Sequence, residues 1–139
     1  MPKFLEYYRH EQQRHPDIAL KRISKANTER VLERFWHDYK VRPLPVEFRD
    51  EGGSELDWGR DRDDRRIVYG KNRYVLIVLH ELAHYLDIRH REGQMLLART
   101  QVEKDRIYNM QWHCKRHADI VDGLVAWWKA WYRAPTETK

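Results

Sequence analysis

Residues 80–84 read His80-Glu81-Leu82-Ala83-His84, an H-E-x-x-H pattern that closes the apolar run Tyr74-Val75-Leu76-Ile77-Val78-Leu79. No other stretch restricts the fold as much. On a helix, positions four apart share one face, about one turn apart. The imidazoles of His80 and His84 then converge on one point and can chelate a metal ion. Glu81 reaches the same space as a base. Val, Ile and Tyr are also strand formers, so the run by itself is compatible with a buried strand. Length decides for a helix: the pattern extends from Asn72 or Arg73 to Ile88, about four turns, too long for an ordinary strand. Histidine is frequent here, eight in 139 residues, so the motif needs its neighbours. Leu82 and Ala83 are uncharged, Tyr85 and Leu86 are bulky, and no proline interrupts, which lets the helix be buried behind a metal-facing side.

A chain of 139 residues is long enough for one domain with a modest core. Hydrophobic residues make up 41% and charged residues 35%, as in a globular domain rather than a membrane one. The longest apolar run is too short to cross a bilayer, so no membrane role is expected. The single cysteine, Cys114, excludes an intrachain disulfide. Met1-Pro2-Lys3-Phe4-Leu5-Glu6 shows no apolar signal-peptide core. An intracellular, cytoplasmic protein is the expectation. The net charge of +5 permits DNA or acidic partners without requiring them, because basic and acidic residues are interleaved.

Taken in order, residues 2–15 read as a short polar helix with Phe4, Leu5, Tyr7 and Tyr8 on its apolar side. Pro16-Asp17 restarts the chain. Val31, Leu32, Phe35, Trp36 and Tyr39 predict a helix over about 27–40, with Asn27 or Thr28 as its cap. After Pro43 and Pro45, three strand-like pieces follow at Leu44–Arg49, Ser54–Arg60 and Arg65–Tyr69. Gly52-Gly53 predicts a hairpin between the first two, and Asp61, Asp63 and Asp64 lie in a solvated turn. Asn72 is the expected cap of the H-E-x-x-H helix, and Arg91-Glu92-Gly93 its expected break. A polar helical stretch over 94–108 precedes a last helix with Ile120, Val121, Leu124, Val125, Trp127, Trp128 and Trp131 on its apolar face. The expectation is one α+β domain over 1–139. It comprises a helical part (1–42), a small three-stranded, mostly antiparallel sheet with the metal-site helices (43–134), and a tail (135–139).

A catalytic zinc takes three protein ligands and keeps a position open for water. His90 extends the motif to H-E-x-x-H-x-x-D-x-x-H. This resembles the histidine spacing of the metzincin proteases, with Asp87 where that family turns on a glycine. A second resemblance covers roughly residues 44–130. SprT-like (Spartan-type) minimal zinc metallopeptidases place helices, a small sheet, an H-E-[LM]-x-H helix, a variable connection and a W/G-H-G-x-x-F-like segment that opens another helix. Val78-Leu79-His80-Glu81-Leu82-Ala83-His84 and Trp112-His113-Cys114-Lys115-Arg116-His117 keep to that order. Cys114 replaces the glycine and His117 the aromatic residue. This resemblance implies a zincin-like core, with His113 as third ligand beside His80 and His84. His90 is the alternative, with His117 or a carboxylate such as Asp87 behind them.

The motif and the resemblance together imply a zinc-dependent metallopeptidase acting on a protein or peptide, with Glu81 as general base. Tyr85, Arg116 and His117 are candidates to stabilise the oxyanion. The family resemblance also admits proteins attached to DNA as substrates, which here rests on charge and on stretches such as Lys21-Arg22 and Arg65-Arg66. The competing expectation is a basic nucleic-acid- or partner-binding module whose metal site, formed by Cys114 and histidines or decayed, is structural or vestigial.

Overall fold

The computed structural model describes residues 3–57, 65–71, 73–108 and 115–132. The expected Asp61/Asp63/Asp64 turn, the Asn72 cap, His113, Cys114 and the 135–139 tail lie outside these residues. The described chain is α+β. Three helices come first: α1 (Lys3–Arg14), α2 (Pro16–Ala19) and α3 (Lys25–Tyr39). Then come β1 (Val46–Phe48), β2 (Glu55–Asp57) and β3 (Arg66–Tyr69), and finally α4 (Val75–Leu97), α5 (Gln101–Tyr108) and α6 (Lys115–Trp131). Among the described residues no helix is long and apolar enough to cross a membrane.

Local chemistry sets the early boundaries. Pro16 opens α2, where its missing N–H costs nothing. Ser24, rather than Asn27 or Thr28, caps α3: its hydroxyl accepts the Asn27 N–H at 3.1 Å, and the helix starts at Lys25. Thr28 instead donates its hydroxyl to the Ser24 carbonyl at 2.8 Å. Lys40, in the left-handed region at φ 53°, ends α3.

The sheet has the order β1-β3-β2. β3 pairs in parallel with β1 and antiparallel with β2, so the sheet is mixed rather than mostly antiparallel. The hairpin expected at Gly52-Gly53 does not form, because β3 lies between the two strands that this turn was to join. Burial explains the order. Ile67, Val68 and Tyr69 are all fully buried, whereas β1 is half-buried throughout and β2 is exposed at Glu55. A continuous apolar triplet belongs in the centre of a sheet, and the mixed polar strands belong at its edges.

Gly52 still makes a turn, at φ +83°, but that turn folds over Gly70 at the end of β3. A Cβ at Gly70 would stand 2.1 Å from the Gly52 carbonyl oxygen, a clash with backbone. The Gly70 N–H also donates to the Ser54 hydroxyl at 3.0 Å. Gly70→Ala is therefore expected to destabilise the fold by about 1–3 kcal/mol, read as a lower urea midpoint. An unchanged midpoint would show that the 52–53 turn is not held against the sheet.

The core is built around α4. Val75, Leu76, Val78, Leu79, Leu82, Ala83, Tyr85 and Ile88 are buried around most of its circumference, so the helix is enclosed rather than one-sided. Its neighbours include α6, α5, α2 and β2. The segment between α2 and α3 is clamped across the start of α4. Arg22 bridges Tyr74, the Ile23 N–H donates to the Arg73 carbonyl at 3.1 Å, and the Val75 N–H donates to the Lys21 carbonyl at 2.9 Å. That last bond satisfies one of the free N–H groups of α4. From α6, Val121, Leu124, Val125 and Trp128 enter the core at three- and four-residue steps. The break expected at Arg91-Glu92-Gly93 is absent, and α4 continues to Leu97. Two ion pairs lie along this part of α4: buried Arg91 holds Asp87 one turn away at 3.0 Å, and Arg65 reaches Glu92 at 2.8 Å.

Candidate metal centre

His80 and His84 leave the same face of α4, one turn apart, as the motif spacing predicts. The third member of the group is His117, from the first turn of α6. One nitrogen from each of the three rings lies within 4.8 Å of the others. His84 and His117 stack at 4.0 Å between centroids and 25° between planes. His80 meets both edge-on, at 4.7 Å and 4.5 Å. His80 and His117 are 1% and 2% exposed, and His84 is the more open member.

Beside the apolar face of α6, the Asp87 ion pair ties the start of that helix to α4. Asp87 is fully buried on α4 and binds Arg91 at 3.0 Å and Arg116 at 2.6 Å. Arg116 directly precedes His117, so a bond to Arg116 holds the adjacent histidine over α4. Asp87 is thus engaged by two guanidinium groups and is not part of the histidine group.

The protonation pattern suits a cation. His80 Nδ1 lies 2.9 Å and 2.8 Å from the two carboxylate oxygens of Glu11, a buried residue of α1. His80 Nε2 faces His84 Nε2 at 3.1 Å. Two nitrogen ligands at ~2.0–2.1 Å on a tetrahedral ion stand about 3.3 Å apart, close to the spacing found here. His117 Nε2 donates to the His80 carbonyl at 3.2 Å, which leaves Nδ1 as its lone-pair nitrogen. Burial lowers the pKa of His80 to about 4, so its ring is neutral at neutral pH. Three imidazoles whose nitrogens approach this closely could hold a metal ion and leave a fourth position for another ligand.

Glu81 is 3% exposed. Burial first, then the charges of Glu11 and Glu55, push its carboxyl up to about 8, and a backbone hydrogen bond from Leu56 of β2 acts against the rise. A carboxyl raised in this way sits in the range where a proton can be both taken and returned near neutral pH.

The other residues singled out in the sequence are placed apart. His90 is exposed on the continuing α4 and lies outside the histidine group, because a straight helix carries a residue six positions on to another face. The Tyr85 hydroxyl donates to the Arg42 carbonyl at 2.8 Å, and Arg116 is committed to Asp87. The Tyr85 donor is thus taken, whereas Arg116 Nη2 is buried without a hydrogen-bond partner among the described residues. Glu11 is the residue that sequence reading missed. Its signal is positional: Phe4, Tyr8 and Glu11 fall at i, i+4 and i+7, so a carboxylate continues the apolar side of α1.

Comparison with models of known families, with curated proteins and with solved structures found no match.

Proposed function

We propose that the chain is a zinc-dependent metallopeptidase whose metal is held by His80, His84 and His117, with Glu81 as general base. The observation that carries this reading is the convergence of the three histidines, with a buried glutamate of raised pKa next to His80 in the motif. When bound there, the metal would polarise a substrate carbonyl and lower the pKa of water towards ~7. Glu81 accepts the proton of the attacking water and returns it to the leaving amine, a role worth about 100- to 10,000-fold in rate. The order of elements around H-E-x-x-H, with a small sheet before it and an apolar helix after it, supports kinship with SprT-like zincins. His117 takes the place that this resemblance gives to His113. The substrate is a protein or peptide, in keeping with an intracellular hydrolase.

A second reading is favoured by one observation. The 1% and 2% exposures of His80 and His117 suit a closed structural ion in a binding module. Metal content and turnover separate the two. The full chain, purified without chelator, is expected to hold one zinc and to cleave an unstructured protein substrate, with cleavage lost in phenanthroline and restored by zinc. Stoichiometric zinc with no cleavage of any peptide in a mixed library would favour the structural centre, and absence of bound metal would overturn both readings.

A further inference from the structure

We infer that Glu11, from the N-terminal helix, is the positioning residue of the metal centre: it holds His80 in the Nδ1–H form, so that Nε2 is the nitrogen offered to the ion. This inference rests on the reading of the three-histidine group as a metal site. Glu11 stands 69 residues from His80 in sequence, yet both of its carboxylate oxygens lie within hydrogen-bond distance of the same ring nitrogen, at 2.9 Å and 2.8 Å. An ionised carboxylate can only accept, so His80 Nδ1 must carry the proton and Nε2 the lone pair. That lone pair is on the side facing His84 Nε2, 3.1 Å away. One Glu11 oxygen also lies 3.8 Å from His117 Nδ1, so the same anion flanks two of the three rings.

A buried carboxylate with this placement does three things. It selects one of two otherwise similar tautomers, it fixes the ring's orientation, and it makes the opposite nitrogen more basic towards a cation. The N-terminal helix is tied to the body by further polar bonds, from Arg14 and His15 to Asp122 of α6. Those bonds lie one turn beyond Glu11 and keep its carboxylate against His80. The N-terminal helix is therefore part of the centre, although the motif that defines the centre begins at residue 80.

The test uses the full chain and zinc alone, titrated in competition with a chromophoric chelator. Glu11→Ala is expected to bind zinc about 10- to 100-fold more weakly than the unmodified chain. Glu11→Gln keeps an acceptor oxygen without the charge and is expected to fall between the two. Nitrogen-15 spectra of the metal-free protein supply a readout that a packing role would not move. The His80 ring is expected to be Nδ1–H in the unmodified chain and a mixture of tautomers in Glu11→Ala; should that variant not fold, Glu11→Gln serves the titration. An affinity within twofold of the unmodified chain in both variants, or an Nε2–H ring at His80 in the unmodified chain, would overturn the inference. If the unmodified chain binds no zinc, it is the metal-centre reading that fails, and the tautomer spectra still decide the role of Glu11.

Discussion

His117→Ala is expected to weaken zinc binding by more than about 100-fold, beyond the 10- to 100-fold typical for partners that only orient a ligand. The geometry behind this is the approach of three ring nitrogens to within 4.8 Å of one another, with His117 supplied by a different helix from the other two. His90→Ala, on an exposed part of α4, should change affinity by less than about twofold, the level of a surface substitution away from any ligand. His113→Ala belongs in the same titration, because the family resemblance gives that residue the third position. With His117 as the third nitrogen, the His113 variant retains its zinc. Stability reports the same loss. Zinc at about a thousandfold excess over its dissociation constant stabilises the folded chain by about 4 kcal/mol, or roughly 10–20 °C in melting temperature for a domain of this size. That zinc-dependent stabilisation should shrink to about 1.4 kcal/mol or less in His117→Ala at the same zinc concentration. A His117 variant that keeps zinc while the His113 variant loses it would replace the assignment.

Glu81→Gln is expected to lower peptide hydrolysis by about 100- to 10,000-fold while leaving zinc in place. It should also change how the metal-free protein responds to pH, and the sign is set by the direction of the shift. Burial, with the charges of Glu11 and Glu55, raises the Glu81 carboxyl from 4.5 to about 8. Below pH 4.5 the carboxyl is protonated in both the folded and the unfolded chain, and stability is unaffected by it. Between 4.5 and 8 the folded chain keeps a proton that the unfolded chain has released, so stability falls as pH rises, by up to about 1.4 kcal/mol per unit. A glutamine stays neutral and can still accept the Leu56 N–H. The chelator-treated variant should therefore melt higher than the unmodified chain at pH 7–8, with the difference closing towards pH 5. Parallel melting profiles across that range would show that Glu81 is not held in a dry, anionic neighbourhood.

The parts of this fold that were legible in the sequence are those fixed by short-range periodicity. Val121, Leu124, Val125 and Trp128 spell out the buried face of α6 within two turns. The length of the run around His80 distinguishes α4 from a strand even though its residues favour strands. What escaped depends on groups that meet from far apart. The place of β3 between β1 and β2 was open to reading from Ile67-Val68-Tyr69, three apolar residues in succession, but Gly52-Gly53 carried the stronger local signal. That glycine pair does turn, only against Gly70 rather than into a hairpin. The continuation of α4 past Gly93 is accompanied by a partner at Arg65, 27 residues before Glu92, that no window around Gly93 contains. For the site, His80, Glu81 and His84 come from one motif and were read together. His117 depends on how α6 docks, where the Asp87–Arg116 pair joins the buried apolar face of the helix. Glu11 depends on a contact spanning 69 residues, and a lone carboxylate on an apolar helix side is the only local trace it leaves.

X-ray absorption at the zinc edge of the full chain tests the central assignment most directly. A centre made by His80, His84 and His117 predicts four nitrogen or oxygen scatterers at about 2.0–2.1 Å, with outer-ring multiple scattering from three imidazoles and the fourth ligand an oxygen from solvent. Sulfur at about 2.3 Å, which would bring in Cys114, or a fourth imidazole in place of the oxygen, would describe a closed structural ion and contradict the hydrolytic centre.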